Sequence, residues 1–320
     1  MRCNFLVASC VPDGGVYKCT LYDDGTVDIG EKISMPSPMY IQLDGSRLWA
    51  VLRAPFDDSN DSGVAAYDIE TGERLTEIFS TKGEVGCHIA VSGKDVYCAN
   101  YIGGSVFKVS DVLDAHEGQG VDPQRQLSPH PHSVVISPDG KYLLSCDLGL
   151  DKIIIYDRQL RALSHGSVPD GSGARHLVFS HAGDYIYCVN EMGGSISVFR
   201  FADGLLEYVN TVSVMPADFS GKASSAAIKI SQRGDRLYIT ERATQKIVTL
   251  GINNAELTVL ARTGSKGREP RDFTLLANDK YAVCTNQFEN NVSVFKMCVD
   301  ETPEFMSSFN VKSPLCAVGM

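Results

Sequence analysis

The chain has 320 residues, of which 43% are hydrophobic and 21% are charged, and its formal net charge at pH 7 is −10. No stretch approaches the roughly 18 apolar residues of a membrane-spanning helix, and the N-terminal apolar run is too short for a signal peptide. Because nucleic-acid-binding surfaces are basic, the acidic balance argues against a nucleic-acid partner. We therefore expect a cytoplasmic protein with no membrane partner, no nucleic-acid partner and no obligate protein partner.

The strongest pattern is a short segment that recurs every 43 to 51 residues. Each copy has a turn residue, a polar residue and five or six strand-forming residues. The copies are GSRLWAVL from Gly45, GKDVYCAN from Gly93, GKYLLSCD from Gly140, GDYIYCVN from Gly183, GDRLYITE from Gly234 and DKYAVCTN from Asp279. The N-terminal NFLVASC, which ends at Cys10, makes a seventh copy.

The copies also share their flanking sequence. Around Gly140, HSVVIS, KYLLSCD and KIIIYD predict three strands, A, B and C, and a more variable strand D follows. Four strands at this period are typical of a β-propeller blade. We therefore predict an all-β fold, a seven-bladed β-propeller with four-stranded antiparallel blades, as a single domain over residues 1–320. A β-sandwich or an open β-solenoid is the alternative.

The two ends of the chain fit one blade. The C-terminal SPLCAVGM predicts a lone strand A, and the N-terminus begins at a strand B. We expect these strands to pair, which closes the ring and removes a free sheet edge.

Cysteine is frequent, with ten residues, but no two are spaced as Cys-x-x-Cys. Cys98, Cys188 and Cys284 fill the same slot of strand B, and Cys146 lies close to it. This pattern predicts reduced thiols that pack as small hydrophobic side chains, and it does not indicate a cysteine metal site.

The candidate functional residues follow from the A–B hairpin. Because A and B are antiparallel, the start of A and the end of B lie at the same end of a blade, and in propellers strand A lines the central channel. These positions therefore surround one mouth of the channel, where loops carry function. The polar residues there are His132, Arg175, Arg271, Glu191, Arg242 and Gln287, flanked by His130, His176 and Asp272.

Three arginines close together repel one another unless an anion or a carboxylate joins them, so we predict an anion-binding site. The alternative is a set of structural ion pairs with Glu191, Glu241 and Asp272. The His-x-His spacing at His130 and His132 also occurs in metal sites, but a polar strand entry explains it equally.

A polar residue closes strand B in five blades, which suggests a structural role in capping backbone groups, with a Ca²⁺ site as the alternative. These residues are Asn100, Asp147, Asn190, Glu241 and Asn286. We also count Asn190 among the candidate substrate-binding residues.

Three segments carry a family resemblance. PHPHSVVISPDGKYLLSCDLGLDKIIIYD, GSGARHLVFSHAGDYIYCVNEMGGSISVF and EPRDFTLLANDKYAVCTNQFENNVSVF resemble the seven-bladed propeller lactonases. That family includes bacterial 6-phosphogluconolactonases and the fungal carboxy-muconate lactonizing enzymes, and the resemblance covers essentially the whole chain. It implies that the active site contains His132, Arg175, Glu191 and Arg242. The second blade departs from the family pattern, with Leu52-Arg53 where Asn-Glu is common and an acidic loop over residues 57–61.

The resemblance implies a lactone hydrolase, most simply one that acts on an anionic sugar lactone such as 6-phosphogluconolactone. Glu191 or His132 would take the proton from water, while Arg175 and Arg242 would stabilise the oxyanion. One of these two arginines, or Arg271, would hold the substrate's phosphate or carboxylate by a two-point contact. His130, His176, Asn190 and Gln287 are further binding candidates. The scheme needs no metal and no cofactor. The alternatives are a lactonizing cycloisomerase that acts on a dicarboxylate and a non-catalytic binding platform.

Overall fold

The computed structural model describes residues 2–298 and 302–320. The described residues form 28 strands in seven four-stranded antiparallel sheets, and they contain no helix. The all-β prediction with four strands per repeat is therefore confirmed.

The chain falls into two compact units. Unit 1 comprises Met1–Ala50, Ala66–Leu75 and Ala226–Met320, and unit 2 comprises Val51–Ala65 and Thr76–Ser225. The single domain over residues 1–320 stays a prediction.

Unit 2 contains three whole sheets. The first is formed by β8 (Gly86–Ser92), β9 (Asp95–Asn100), β10 (Ser105–Lys108) and β11 (Val112–Ala115). The second is formed by β12 (Pro131–Ile136), β13 (Tyr142–Asp147), β14 (Lys152–Asp157) and β15 (Ala162–Ser167). The third is formed by β16 (Ala174–Phe179), β17 (Tyr185–Asn190), β18 (Ser195–Ala202) and β19 (Leu205–Ser213).

Unit 1 also holds three sheets. Two of them are consecutive in sequence. One is formed by β20 (Ser225–Ile230), β21 (Arg236–Glu241), β22 (Lys246–Asn253) and β23 (Glu256–Gly264). The other is formed by β24 (Pro270–Leu276), β25 (Tyr281–Asn286), β26 (Asn291–Met297) and β27 (Pro303–Asn310).

The third sheet of unit 1 joins the two ends of the chain. It is formed by β28 (Pro314–Gly319), β1 (Arg2–Ser9), β2 (Gly15–Tyr22) and β3 (Val27–Ser34), in that order. Strands β1 and β28 pair in antiparallel register from Phe5 opposite Gly319 to Ser9 opposite Pro314. The prediction that the N-terminal strands share a sheet with the C-terminal strand is confirmed.

One further sheet has its residues divided between the two units. It is formed by β4 (Pro38–Asp44), β5 (Arg47–Leu52), β6 (Asp61–Asp68) and β7 (Phe79–Glu84).

Three A–B hairpins share a turn in which a glycine amide donates to the carbonyl of a serine three residues earlier, at Ser137–Gly140, Ser180–Gly183 and Ser231–Gly234. In the sheet β12–β15, the Gly140 amide donates to the Ser137 carbonyl at 2.8 Å, and Gly140 has a φ of 70°. Glycine adopts this left-handed conformation without the steric cost of a Cβ. The Ser137 hydroxyl donates to Asp139 at 2.6 Å, so the Pro-Asp-Gly sequence fixes the turn that sets the hairpin register.

Apolar side chains of neighbouring sheets pack against each other within a unit. In unit 2 one such cluster joins Cys146 and Ile155 of one sheet to Leu177, Cys188 and Phe199 of the next. All of these side chains are buried, so the core lies between the faces of successive sheets.

The cysteine prediction is confirmed for the described residues. All ten cysteines are free thiols, and the four that recur in strand B are fully buried. Burial raises the pKa of the Cys98, Cys188 and Cys284 thiols, which keeps them neutral.

Candidate functional site

A β-bulge near the start of strand A sets the direction of several candidate site side chains. In the sheet β12–β15, Pro131 pairs with Asp147 and Ser133 pairs with Cys146, so His132 lies opposite no partner residue. The same register shift occurs one residue into strand A in four other sheets. The bulged residues are Cys87, His132, Arg175, Arg271 and Leu315. A bulge re-aims a side chain, which explains why these equivalent positions present special side chains.

Arg175 and Glu191 form a buried ion pair in unit 2. The Arg175 Nε donates to Glu191 Oε2 at 3.0 Å, and the two side chains are only 2% and 6% exposed. Arg175 is the bulged residue of β16, and Glu191 follows the last residue of β17. The hairpin therefore brings together the two residues that the sequence placed at one end of this blade.

A second guanidinium group reaches the same carboxylate. The Arg125 Nη2 donates to Glu191 Oε1 at 2.7 Å and to the Tyr101 hydroxyl at 3.3 Å. Partial burial acts to lower the pKa of Arg125, but the hydrogen bonds to Glu191 and Tyr101 outweigh it and raise that pKa. Glu191 thus lies between two charged guanidinium groups, which favour its ionised form.

Histidine side chains gather beside this pair. The ring of His132 lies edge to face with the rings of His176 and Tyr101, at centroid distances of 5.2 and 5.4 Å. His88 contacts His176 in the same way at 5.0 Å. The residues His132 and His176 are only 6% and 8% exposed, so both are buried near the start of their strands, β12 and β16. Unit 2 therefore brings together His132, His176, Arg175 and Glu191.

His130 is held from two sides. Its Nδ1 lies 2.9 Å from the Tyr101 carbonyl oxygen, and its ring stacks on the Tyr101 ring at 4.5 Å. Its backbone amide donates to the buried Asp147 Oδ1 at 2.8 Å. The other oxygen of Asp147 lies 2.5 Å from Nδ1 of His116, whose Nε2 is 2.6 Å from the Tyr156 hydroxyl. This polar network fixes the backbone that leads into His132.

Asn190 is fully buried, and its amide donates to the hydroxyls of Ser195 and Ser197, both at 2.9 Å. These bonds join β17 to β18 through side-chain hydroxyls, whereas the expected role was the capping of backbone groups. The assignment of Asn190 to substrate binding stays a prediction.

Unit 1 holds the remaining predicted residues. The Arg242 Nη1 donates to Glu269 Oε1 at 3.0 Å, and the Arg242 side chain is 8% exposed. The Arg271 Nη1 lies 3.5 Å from the Gln287 Oε1, so these two predicted residues are neighbours. The roles of Arg242, Arg271 and Gln287 toward a substrate stay predictions.

One pair of the ion-pair alternative is present, because Arg175 pairs with Glu191. Arg242 also pairs with Glu269, and Glu241 accepts hydrogen bonds from Thr244. Asp272 pairs with Lys229, whose Nζ lies 3.4 Å from Asp272 Oδ1. Burial acts to lower the pKa of Lys229, but the charge of Asp272 outweighs it and raises that pKa.

Sequence reasoning missed Arg125 and Glu269. Arg125 lies in the long connection between β11 and β12, outside the repeating strands, so the alignment of blades gave it no position. Glu269 directly precedes β24. Its position next to Pro270-Arg271, at the start of a strand A, could have identified it as a candidate site residue.

Residues 2–298 and 302–320 contain neither a candidate metal site nor a candidate membrane-spanning helix. No group of three or more His, Cys, Asp or Glu side chains there has the arrangement of a metal site. No helix there is long and apolar enough to cross a membrane.

The cluster in unit 2 combines an ionised carboxylate, two guanidinium groups and imidazole rings. A carboxylate or an imidazole can take a proton from water, and a guanidinium can stabilise a developing oxyanion. Arginine also binds phosphate and carboxylate groups by two parallel hydrogen bonds. The arrangement suits the addition of water to a carbonyl group of an anionic substrate.

Known proteins resemble the chain over nearly its full length. The uncharacterized protein YwcC of Lactococcus lactis is 31% identical over 289 residues, which cover 83% of each chain. A protein of Bacteroides fragilis, provisionally named a 6-phosphogluconolactonase, is 27% identical, with a TM-score of 0.88 over 100% of this chain and 98% of its own. The periplasmic gluconolactonase PpgL of Pseudomonas aeruginosa is 26% identical, with a TM-score of 0.89 over 100% and 99% of the two chains.

The sequence model of the family described as "Lactonase, 7-bladed beta-propeller" matches residues 5–318. That match spans all 28 strands except the first three residues of β1 and the last of β28. The seven four-stranded sheets are therefore the seven blades of that description, and the chain belongs to the seven-bladed β-propeller lactonase family.

Proposed function

We propose that the protein is a metal-independent hydrolase that opens a sugar-acid lactone, with 6-phosphogluconolactone as the first substrate to test. Family membership supports lactone chemistry. The names of the Bacteroides and Pseudomonas relatives support a gluconolactone skeleton. The observation that carries the proposal is the buried Arg175–Glu191 pair, to which the ring of His132 is linked through Tyr101 and Arg125.

The reaction is the addition of water to the lactone carbonyl carbon. In the proposed mechanism the Glu191 carboxylate takes one proton from water as the water oxygen attacks. The guanidinium group of Arg175 stabilises the negative charge that develops on the carbonyl oxygen. The ring C–O bond then breaks, and the leaving oxygen takes up a proton to become the hydroxyl of the open acid.

His132 is the alternative base. An imidazole titrates close to neutral pH without special tuning, and His132 lies in the same cluster as Glu191. The variants E191Q and H132N separate the two roles, because each removes one proton acceptor. E191Q keeps the size of the side chain, and H132N replaces the imidazole by a smaller neutral amide.

The test measures lactone loss by proton release, with the spontaneous rate subtracted. We expect rapid turnover of fresh 6-phosphogluconolactone by the parent protein, undiminished after treatment with a chelator. E191Q lowers kcat by about 10²- to 10⁴-fold, the usual contribution of a general base. E289Q is the matched control, because Glu289 is 43% exposed and pairs with the exposed Arg268.

Two results would contradict the proposal. No acceleration over the spontaneous rate, with either the phosphorylated or the unphosphorylated lactone, rejects the hydrolase function. Parent-like turnover by E191Q, with H132N inactive, rejects Glu191 as the base and assigns that role to His132.

We also propose a cytoplasmic location, which the ten free thiols support because reducing compartments keep thiols unpaired. Cell fractionation tests it, and recovery of the protein outside the cytoplasm rejects it.

A further inference from the structure

The two guanidinium groups on Glu191 differ in their exposure to solvent. The Arg175 side chain is 2% exposed and lies on strand β16, whereas the Arg125 side chain is 44% exposed and projects from the connection between β11 and β12. Each contacts a different oxygen of the carboxylate, Arg175 at Oε2 and Arg125 at Oε1. Arg175 is therefore a fixed counter-ion, and Arg125 is the one that solvent or a ligand can reach.

This arrangement restrains Glu191 as a base. A carboxylate that accepts a guanidinium hydrogen bond at each oxygen holds its negative charge strongly, so it is a weak proton acceptor. The loss of one of these contacts would make Glu191 a stronger base. Breaking the contact of Arg125 with Glu191 costs less free energy than breaking that of Arg175, because water readily solvates a half-exposed guanidinium but not a buried one.

The backbone that carries Arg125 is well anchored. The next residue, Gln126, is fully buried and donates from Nε2 to the Leu148 carbonyl at 2.8 Å. Its Oε1 accepts hydrogen bonds from the Val121 and Asp122 amides at 3.1 and 3.0 Å. Arg125 can therefore change partner by rotation of its own side chain while its backbone keeps its place beside the site.

We propose that Arg125 binds the phosphate group of the substrate and, in doing so, leaves Glu191. The phosphate replaces the carboxylate as the partner of the guanidinium fork, and Glu191, with one cation fewer at its carboxylate, accepts the proton from water more readily. The substrate's own anionic group thus binds and also activates the base. This inference rests on the proposed lactonase function, and it names the class of substrate as a phosphate monoester of a sugar lactone.

The experiment compares the phosphorylated and the unphosphorylated lactone in the parent, R125A and R125K. In R125A we expect kcat/KM for 6-phosphogluconolactone to fall by about 10- to 100-fold, as when a charged group is left without its partner. The value for gluconolactone rises, because Glu191 has lost the Arg125 cation at its carboxylate. R125K retains the charge without the two-point fork and recovers part of the phosphate preference.

The pH profile supplies a readout that a structural role would not change. Loss of a cation beside Glu191 makes its carboxylate hold a proton more tightly, so the acid limb of the R125A profile moves to higher pH. R161A is the matched control, because Arg161 is 76% exposed and pairs with Asp157 within its own turn. Its substrate ratio and its pH profile are expected to equal those of the parent.

A binding measurement separates this inference from the proposed function. Calorimetry with 6-phosphogluconate and gluconate, the open acids, needs no turnover. At least tenfold weaker binding of 6-phosphogluconate to R125A supports the inference even if the parent hydrolyses neither lactone. Equal affinities for R125A and the parent overturn it, and so does hydrolysis with an unchanged substrate ratio in R125A.

Discussion

Replacing the buried guanidinium of Arg175 by a methionine side chain tests whether Glu191 is held jointly by two arginines. Methionine fills much of the same volume without charge. In R175M the Glu191 carboxylate loses the contact at 3.0 Å but keeps the contact to Arg125 at 2.7 Å. In R125A the carboxylate keeps Arg175, and in the double variant it loses both of these guanidinium partners.

The structure sets the expected magnitudes. R175M leaves a buried carboxylate with one guanidinium, and we expect it to cost about 2 kcal/mol of unfolding free energy, less than the roughly 3–5 kcal/mol of a broken buried pair. R125A removes a half-exposed contact and costs about 0.5–1 kcal/mol. The double variant reaches about 4–5 kcal/mol, because the buried charge has then lost both cations. The excess over the sum, about 1–2 kcal/mol, is the coupling between the two arginines.

Urea unfolding of the four proteins at one pH measures these differences. R161M, at the 76% exposed Arg161, is the control and stays within about 0.5 kcal/mol of the parent. Single costs that add within about 0.5 kcal/mol in the double variant would refute joint stabilisation of Glu191. In the lactone assay the folded R175M loses about 10²- to 10³-fold in kcat, the usual effect of removing an oxyanion partner.

Two further predictions concern stability away from the site. Asp95 pairs with Lys108 at 3.0 Å and with Arg158 at 2.9 Å. Partial burial acts to raise the pKa of Asp95, but these two cations outweigh it and lower that pKa. We therefore expect D95N to lower the unfolding free energy at pH 7 by about 1 kcal/mol, measured by urea unfolding. This difference from the parent closes as the pH falls below about 4, because the Asp95 carboxyl takes up a proton first in the unfolded and then in the folded parent. A difference that is constant with pH contradicts the charge argument. Cys188 is fully buried in the core, so C188S places a hydroxyl there and lowers the unfolding free energy by about 1–3 kcal/mol, measured by thermal melts. The control C298S changes a half-buried thiol and has little effect. Equal melting temperatures for the two variants would contradict the burial argument.

The repeat made much of the fold predictable. A period of 43 to 51 residues, with turn residues at fixed places, defined the hairpins, and the pairing of the chain ends followed from which strand each end supplied. Local turn chemistry at Ser137 and Gly140 agrees with the global arrangement, which is the condition for reading a fold from sequence.

The candidate site was less accessible to the same reasoning. Periodicity located Arg175 and Glu191 because they occupy repeating positions on one hairpin. It gave no position to Arg125, which lies in the connection between β11 and β12, outside the repeating strands, and whose contact with Glu191 spans 66 residues of sequence. Contacts made by a unique loop depend on its folded path, and no residue pattern within the loop encodes the partner.

The bulges explain why one repeating position can serve both structure and chemistry. Five sheets share the register shift, yet the bulged side chain is a cysteine, a histidine, a leucine or one of two arginines. The backbone irregularity thus belongs to the blade design, while the side chain at that position is free to vary because it has no partner in the strand ladder. Substitution at this position changes chemistry without changing the strand ladder, but it costs stability where the bulged side chain belongs to a buried ion pair, as Arg175 does. It follows that substrate preference within the family should depend on the bulged residues and on the unique loop that carries Arg125, and much less on the residues that build the strands.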